Sequence, residues 1–312
     1  MNDITILHSK YDNPVKNIIH ISDIHIRQGD IERSRYNEYK IVFNNFIHDI
    51  KNLCRNSNND TIIIITGDVF HNKGKLDTPA IKLFFQWMDK LLNIAPVFII
   101  CGNHDFRQED PHHPDMIEVL TVPYKNNDHN VKYPLFYLKE TGQYIWQNIG
   151  FGLVSVKDTL RVFNTAGIIS KLPDFPSADN LQNVDFKIAL FHGTLLPYNT
   201  NELKNIHGYR LEWFNGYNAV LLGDNHVQQI HHDKIINDSD SNGKNIARWV
   251  YILLSDNITK DMIDNIDEDA LEKIDVVSSR PTRPVGRDVR LDRDGERRAH
   301  GLAQLAGDAA LF

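Results

Sequence analysis

The chain has 312 residues, 41% of them hydrophobic and 24% charged, which excludes a fibrous or disordered polymer and allows one large domain or two modest ones. Its formal net charge of −7 excludes a protein that coats nucleic acid non-specifically, but not a phosphate-processing enzyme that borrows positive charge from bound ions. No apolar run approaches the roughly 20 residues of a bilayer span, and residues 1–16 lack the basic-then-apolar pattern of a signal peptide. With only Cys54 and Cys101, which suit free thiols in a reducing compartment, the expectation is an intracellular protein without a membrane partner.

In chain order, 17–22 (NIIHIS), 61–66 (TIIIIT) and 96–101 (PVFIIC) are short aliphatic runs, each followed at once by polar residues or glycine. Continuous rather than alternating hydrophobicity predicts strands buried on both faces. Between them, Tyr39, Val42, Phe43, Phe46, Ile50 and Leu53 follow helical spacing, as do Ile81, Phe84, Phe85, Met88 and Leu92. Thr78 stands as N-cap of that second helix, with Pro79 at its first position. Strand, helix, strand, helix, strand is the pattern of parallel βαβ units. Residues 149–156, 186–191 and 218–222 are further strand-like runs. After these the composition changes. Up to Lys273 the chain is rich in Ile, Asn and Lys; from Ile274 onward there is one Ile, no Asn and no Lys, but seven Arg. The expected division is therefore a single domain over 1–255, a C-terminal helix over 256–278 with a solvated acidic face, and a compositionally foreign, disordered tail over 279–312.

Five polar clusters fall at the C-terminal ends of predicted strands: Asp23-Ile24-His25, Gly67-Asp68-Val69-Phe70-His71, Gly102-Asn103-His104-Asp105, Phe191-His192-Gly193 and Gly223-Asp224-Asn225-His226. Singly, each is a common loop pattern. Together they occupy the edge where open α/β sheets place their ligands, because loops leaving that edge converge on one crevice. Carboxylate, imidazole and amide oxygen suit Mn²⁺, Fe or Zn²⁺, and the lack of cysteine argues against a structural zinc. Asp68 has two oxygens with which to bridge two ions roughly 3.5–4 Å apart, a spacing that activates water and clamps phosphoryl oxygens.

The order D-x-H, GD, GNHD, H-G and G-x-x-H resembles the calcineurin-like metallophosphoesterase superfamily over roughly residues 17–230. GDVFH, GNHD, the start HISDIHI and a helix beginning near Arg35 resemble in particular the SbcD-type double-strand-break repair nucleases. The resemblance implies a four-layer α/β/β/α sandwich of the α/β class. It implies one ion held by Asp23, His25, Asp68 and His226, and a second held by Asp68, Asn103, His192 and Asp224. His104 would contact the scissile phosphate or protonate the leaving oxygen, Asp105 would orient nearby groups, and His71 would help present the phosphodiester. The implied cofactors are two divalent ions, Mn²⁺ first, with Mg²⁺, Fe or Zn²⁺ as alternatives. The implied reaction is exo- or endonucleolytic hydrolysis of DNA, with an SMC-like ATPase of the SbcC type as partner and a homodimer as an admissible state.

The chain departs from the family pattern at Gly223-Asp224-Asn225-His226, where the superfamily usually reads GHxH. Asp224 thus stands where a histidine ligand is expected. As a ligand it makes the site harder and favours Mn²⁺ or Mg²⁺; as a mere loop cap it leaves the second ion weakly held. Arg27 is a second departure, read as solvent-exposed. Trp87 belongs to a core rather than to a base-stacking platform. The rival functions are a phosphatase or phosphodiesterase of small substrates, and a non-catalytic scaffold with a degraded metal site. Beyond about Gln229 the resemblance fades, so the capping and partner-binding parts of the nucleases have no clear counterpart.

Overall fold

Isoleucine-rich strands flanked by amphipathic helices leave one arrangement open: a parallel sheet covered on both faces. The computed structural model describes residues 4–8, 10–11, 13–27, 35–56, 59–110, 113–125, 130–159, 173–195, 208–209, 211–224, 229–231, 235–237, 249–253 and 274–278. In chain order the elements are β1 (Ile4–Ile6), β2 (Asn17–Ile21), α1 (Tyr36–Leu53), β3 (Thr61–Ile65), α2 (Thr78–Leu91), β4 (Val97–Ile99), α3 (Met116–Lys125) and β5 (Leu135–Tyr137). There follow β6 (Gly142–Trp146), β7 (Ile149–Val154), β8 (Phe186–His192), β9 (Thr194–Leu195), β10 (Gly208–Tyr209) and β11 (Ala219–Gly223). Last come β12 (Gln229–His231), β13 (Ile235–Asn237), β14 (Trp249–Leu253) and β15 (Ile274–Ser278).

One sheet has six strands in the order β15-β14-β2-β3-β4-β5, and the other seven in the order β1-β6-β7-β8-β11-β13-β12. The strands at the heart of each sheet run parallel: β2, β3 and β4 in the first, β7, β8 and β11 in the second. Pairing alternates the isoleucines between layers. Ile18, Ile62 and Ile64 face the second sheet, where Trp146, Phe151, Ile188 and Leu221 meet them. Ile19, Ile21, Ile63 and Ile65 face α1 and α2, against Phe46, Ile50, Phe84 and Met88. Trp87 is in this outer layer, buried and stacked on Phe43 at 4.6 Å between ring centroids.

The fold is thus the mixed α/β sandwich with parallel sheets that the motifs imply, with local differences. On the outer face of the second sheet the described cover is short 3₁₀ turns at Ala178–Asn180 and Leu211–Phe214, which bring Ala178 and Phe214 onto Val220 and Leu222. The N-cap of α2 is Asp77, not Thr78: its backbone is extended and its carboxylate accepts from Ala80 N at 2.7 Å, closing a free amide that Thr78, already helical, does not reach. Ile274–Ser278 is a strand rather than the end of a helix, because Ile274, Val276 and Val277 are β-branched and the strand β14 offers them a parallel edge. Residues 256–273 and the tail 279–312 lie outside the described residues. Both cysteines are free, and among the described residues no helix is long and apolar enough to cross a membrane.

His20, in β2, is wholly buried between the layers, with Nε2 2.9 Å from the Thr66 hydroxyl. Burial drives its pKa down from 6.5 to about 3. The unfolded chain therefore takes up a proton below about pH 6.5 that the folded chain refuses, and stability falls as pH drops from there towards 3. Between pH 7 and 5 this group alone should cost about 2 kcal/mol of unfolding free energy. Urea unfolding of wild type and His20→Asn across that range checks it: the variant should lose less stability on acidification, and equal losses would overturn the assignment.

Candidate metal centre

The C-terminal ends of β2, β3 and β4 in one sheet and of β8 and β11 in the other open on one edge. Asp23 and His25 follow β2, Asp68 follows β3, Asn103 and His104 follow β4, His192 ends β8 and Asp224 follows β11. Pairing does not stop where the strands do. Asp23 N donates to Gly67 O at 3.1 Å, His25 N to Asp68 O at 2.9 Å and Ile26 N to Val69 O at 2.7 Å. The first two loops are therefore zipped together, and their side chains come out side by side.

That zipping requires unusual backbone. Among the described residues seven non-glycine positions have positive φ, and four of them are Asp23 (54°), His25 (48°), Asp68 (51°) and Asp224 (84°). Such conformations cost of order 1–3 kcal/mol each and persist where packing over-determines them. Two glycines permit the closeness. Gly67 has φ +91°, and a Cβ there would lie 2.6 Å from His192 Nδ1; one at Gly102 would lie 2.1 Å from Asp68 N and 2.2 Å from its Oδ1.

Hydrogen bonds then aim each donor. Asp105, fully buried, accepts from Phe70 N (3.0 Å), Gly102 N (2.9 Å) and Val69 N (3.4 Å), tying the third loop to the second. His192 Nδ1 donates to Thr66 O at 2.7 Å, which turns Nε2 towards Asp68 Oδ1 at 3.3 Å. Tyr39, from α1, donates to His25 O at 2.5 Å, and His25 Nε2 lies 3.5 Å from Asp68 Oδ2 and 3.9 Å from Asp23 Oδ1. Asp224 N donates to both Asp23 oxygens at 3.0 Å. Asn103 Nδ2 donates to Asp224 Oδ1 at 2.9 Å, which leaves the amide oxygen as the inward end. His104 N donates to Asp68 Oδ1 at 2.8 Å, and its Nδ1 to His71 O at 2.6 Å. A carbonyl can only accept, so neutral His104 carries its proton on Nδ1 and keeps Nε2 as the working nitrogen.

This arrangement fits divalent cations. Asp68 Oδ2 and Asn103 Oδ1 are buried and make no hydrogen bond, although both are oxygen donors of the kind such ions take. Asp23, His25 and Asp68 form one group whose donor atoms lie within 4.8 Å of one another, and Asp68, His192 and Asp224 form a second. Asp68 is common to both, as a bridging carboxylate must be. The electrostatics agree. Burial raises the pKa of Asp23, whereas at Asp68 burial is outweighed by the imidazoles of His192 and His25, which hold the carboxyl well below its usual range. At His192 burial is likewise outweighed, here by Asp68, Asp23 and Asp224, so its pKa is raised. A cluster that pulls a proton onto a buried imidazole is one in which positive charge is wanted.

The structure therefore brings together Asp23, His25, Asp68, Asn103, His192 and Asp224. His226 lies outside the described residues. Asp224 does not turn away as a loop cap: its carboxylate sits between Asn103 and His192, 3.9 Å from His192 Nε2. His71 and His104 stand beside this cluster, their rings 5.3 and 4.8 Å from that of His25, so that all three imidazoles share one face. Asp105 has its carboxylate occupied by three backbone amides, facing the loops rather than the opening, so it acts on the site by positioning those loops. Sequence reasoning missed Tyr39 and Thr66, which steer His25 and His192. No local pattern marks them, because a core tyrosine and a strand-end threonine look ordinary.

The family model for calcineurin-like phosphoesterases matches residues 16–298. The chain belongs to the calcineurin-like phosphoesterase family. That match runs beyond the compositional change after Lys273 and into the tail expected from residue 279. Over 255 residues the chain is 33% identical to an uncharacterized protein, R555, of Acanthamoeba polyphaga mimivirus, covering 75% of this chain but 17% of that protein. Over 89 residues it is 29% identical to protein 244L of Invertebrate iridescent virus 6, named a candidate phosphoesterase, covering 28% of each. The chain thus spans less than a third of either viral relative. Among solved structures, the calcineurin-like phosphoesterase YfkN from Bacillus subtilis is 12% identical with a TM-score of 0.37, covering 72% of this chain and 81% of that one. A cold-active protein-tyrosine phosphatase of a psychrophilic Shewanella is 14% identical with a TM-score of 0.28, covering 76% and 72%.

If Asp224 is a donor, Asp224→Ala should lower Mn²⁺ bound after dialysis from two ions per chain to about one and weaken the remainder by roughly tenfold, in the range seen when a supporting group is lost. Metal analysis with calorimetric titration checks this. Two tightly held ions in the variant would return Asp224 to the role of a loop residue.

Proposed function

We propose that the chain hydrolyses phosphodiester bonds in DNA with two divalent ions, Mn²⁺ foremost, in the manner of the SbcD-type nucleases its motifs resemble. The observation that carries this reading is the row of three imidazoles, His25, His71 and His104, on one face of the carboxylate cluster. A site that only stored metal would need no such row.

Asp23, His25, Asp68 and His226 would hold one ion, and Asp68, Asn103, His192 and Asp224 the other. The extra carboxylate at Asp224 makes the second group harder and more anionic, which favours Mn²⁺ over Zn²⁺. When bound, the ions would supply Lewis acidity and an activated water. The chain's own contribution is placement. His104, held through Nδ1 by the His71 carbonyl, presents Nε2 to a leaving oxygen and, in its imidazolium form, can deliver the Nε2 proton there and return to the neutral Nδ1–H tautomer. The His71 ring, 5.5 Å from that of His104, lines the same approach for a phosphate oxygen. Asp105 keeps the second and third loops in register, so that His104 and Asp68 stay in one frame. An SMC-like ATPase of the SbcC type belongs to the same proposal.

Incubating the protein with single- and double-stranded DNA and Mn²⁺ tests the reading. We expect cleavage by the wild type and a loss of about 10²–10⁴ in kcat for His104→Ala, with metal content unchanged. Hydrolysis of bis(p-nitrophenyl) phosphate without cleavage of DNA would assign the site to small diesters instead. Absence of both activities in metal-loaded protein would leave a scaffold.

A further inference from the structure

The loops that carry His71 and His104 also carry cations that the metal cluster does not use. Lys73 and Lys75 are exposed two and four residues after His71, and Arg107 is exposed three residues after His104. The two loops interlock. Gly74 has φ +64°, and a Cβ there would stand 2.3 Å from Arg107 Cγ and 3.3 Å from its Cδ and Nε. The stem of Arg107 therefore lies across the turn between the two lysines, which brings positive groups from two strand-end loops into one patch.

Among the described residues no carboxylate pairs with these three cations. Asp77 is engaged at the α2 N-terminus, Asp105 is buried against backbone amides, Asp110 lies 3.1 Å from His113, and Glu109 is exposed. Among the described residues the side chains of Lys73, Lys75 and Arg107 enter no ion pair or hydrogen bond. In a chain of net charge −7, three cations left unpaired on these loops are placed to hold an anion. They stand on the same two loops as His71 and His104.

We propose that Lys73, Lys75 and Arg107 form a phosphate-binding subsite, which takes a diester of a polynucleotide strand other than the one being hydrolysed. This rests on the phosphodiesterase reading of the neighbouring centre and adds to it a preference for strands over small diesters. Phosphate contacts of this kind hold register without reading sequence. The glycine is part of the device, because any side chain at 74 would displace the Arg107 stem.

The test compares wild type, Arg107→Gln, Gly74→Ala and the triple variant Lys73→Gln/Lys75→Gln/Arg107→Gln. Fluorescence anisotropy of a labelled oligonucleotide in Ca²⁺ reads binding, and Mn²⁺-dependent hydrolysis of the oligonucleotide and of bis(p-nitrophenyl) phosphate reads turnover. The triple variant should bind the oligonucleotide about tenfold or more weakly at low salt, with the log–log salt slope shallower by about 0.7–0.9 for each phosphate no longer neutralised. Its kcat/KM should fall further for the oligonucleotide than for the small diester, and Gly74→Ala should follow Arg107→Gln. Unchanged anisotropy, or equal losses on both substrates, overturns the subsite. A wild type that hydrolyses the small diester, with oligonucleotide affinity indifferent to the triple variant, leaves the phosphodiesterase reading standing without the subsite. A wild type that binds strands through these residues yet hydrolyses neither substrate overturns the reading and keeps the patch as a binding site.

Discussion

A carboxylate taken out of water has to be answered by positive charge or by hydrogen bonds, and at Asp68 it is answered only in part. The side chain is almost wholly buried. One oxygen meets the His104 amide at 2.8 Å and the His192 ring at 3.3 Å, while the other makes no hydrogen bond. Removing an ion from water costs several kcal/mol even after relaxation. The His192 and His25 imidazoles answer much of the Asp68 charge, and its remaining oxygen, free of hydrogen bonds, can take a further positive partner that its neighbours have the chemistry to share. Much of the surrounding geometry can be understood as the means of keeping this one group dry and accessible at once.

Those means are backbone ones. Parallel strands end at the same level in each sheet, so their loops meet, but ordinary turns would splay the side chains. Left-handed residues at Asp23, His25, Asp68 and Asp224 fold each loop back on its neighbour, and Gly67 and Gly102 let the second and third loops touch without a Cβ between them. Asp105 then locks the two loops together through backbone amides from two different positions of the second loop. The strain is local, whereas the support is distributed over both sheets, which is how a small cluster can be held rigid at the edge of a sandwich.

Against this negative, rigid centre, Lys73, Lys75 and Arg107 form its complement. They are exposed, long and cationic, and they ride on the loops that also bring His71 and His104 to the opening. Division of labour follows from dielectric environment. Interactions in the buried cluster are strong and geometrically specific, while those of the exposed patch are screened by salt and adaptable. An acidic chain can in this way approach a polyanion through a local cationic patch.

Read alone, the amino-acid sequence determined which residues are candidates for chemistry and where along the strands they stand. The isoleucine runs marked buried strands, and the polar residues at their ends could be picked out because nothing in a strand core needs Asp-x-His or Gly-Asn-His-Asp. It also marked Asp224 as the odd member of its set. Only the tertiary structure decided that Asp224 lies among Asn103, Asp23 and His192, that the groups Asp105 orients are the amides of two loops, and that Ile274–Ser278 forms an edge strand on β14. It also decided that Arg107 crosses Gly74 to join two lysines from another loop. The reason is common to all four. Each depends on residues far apart in the chain meeting across loops whose path is set by sheet packing, and hydrophobic periodicity carries no information about where such loops return.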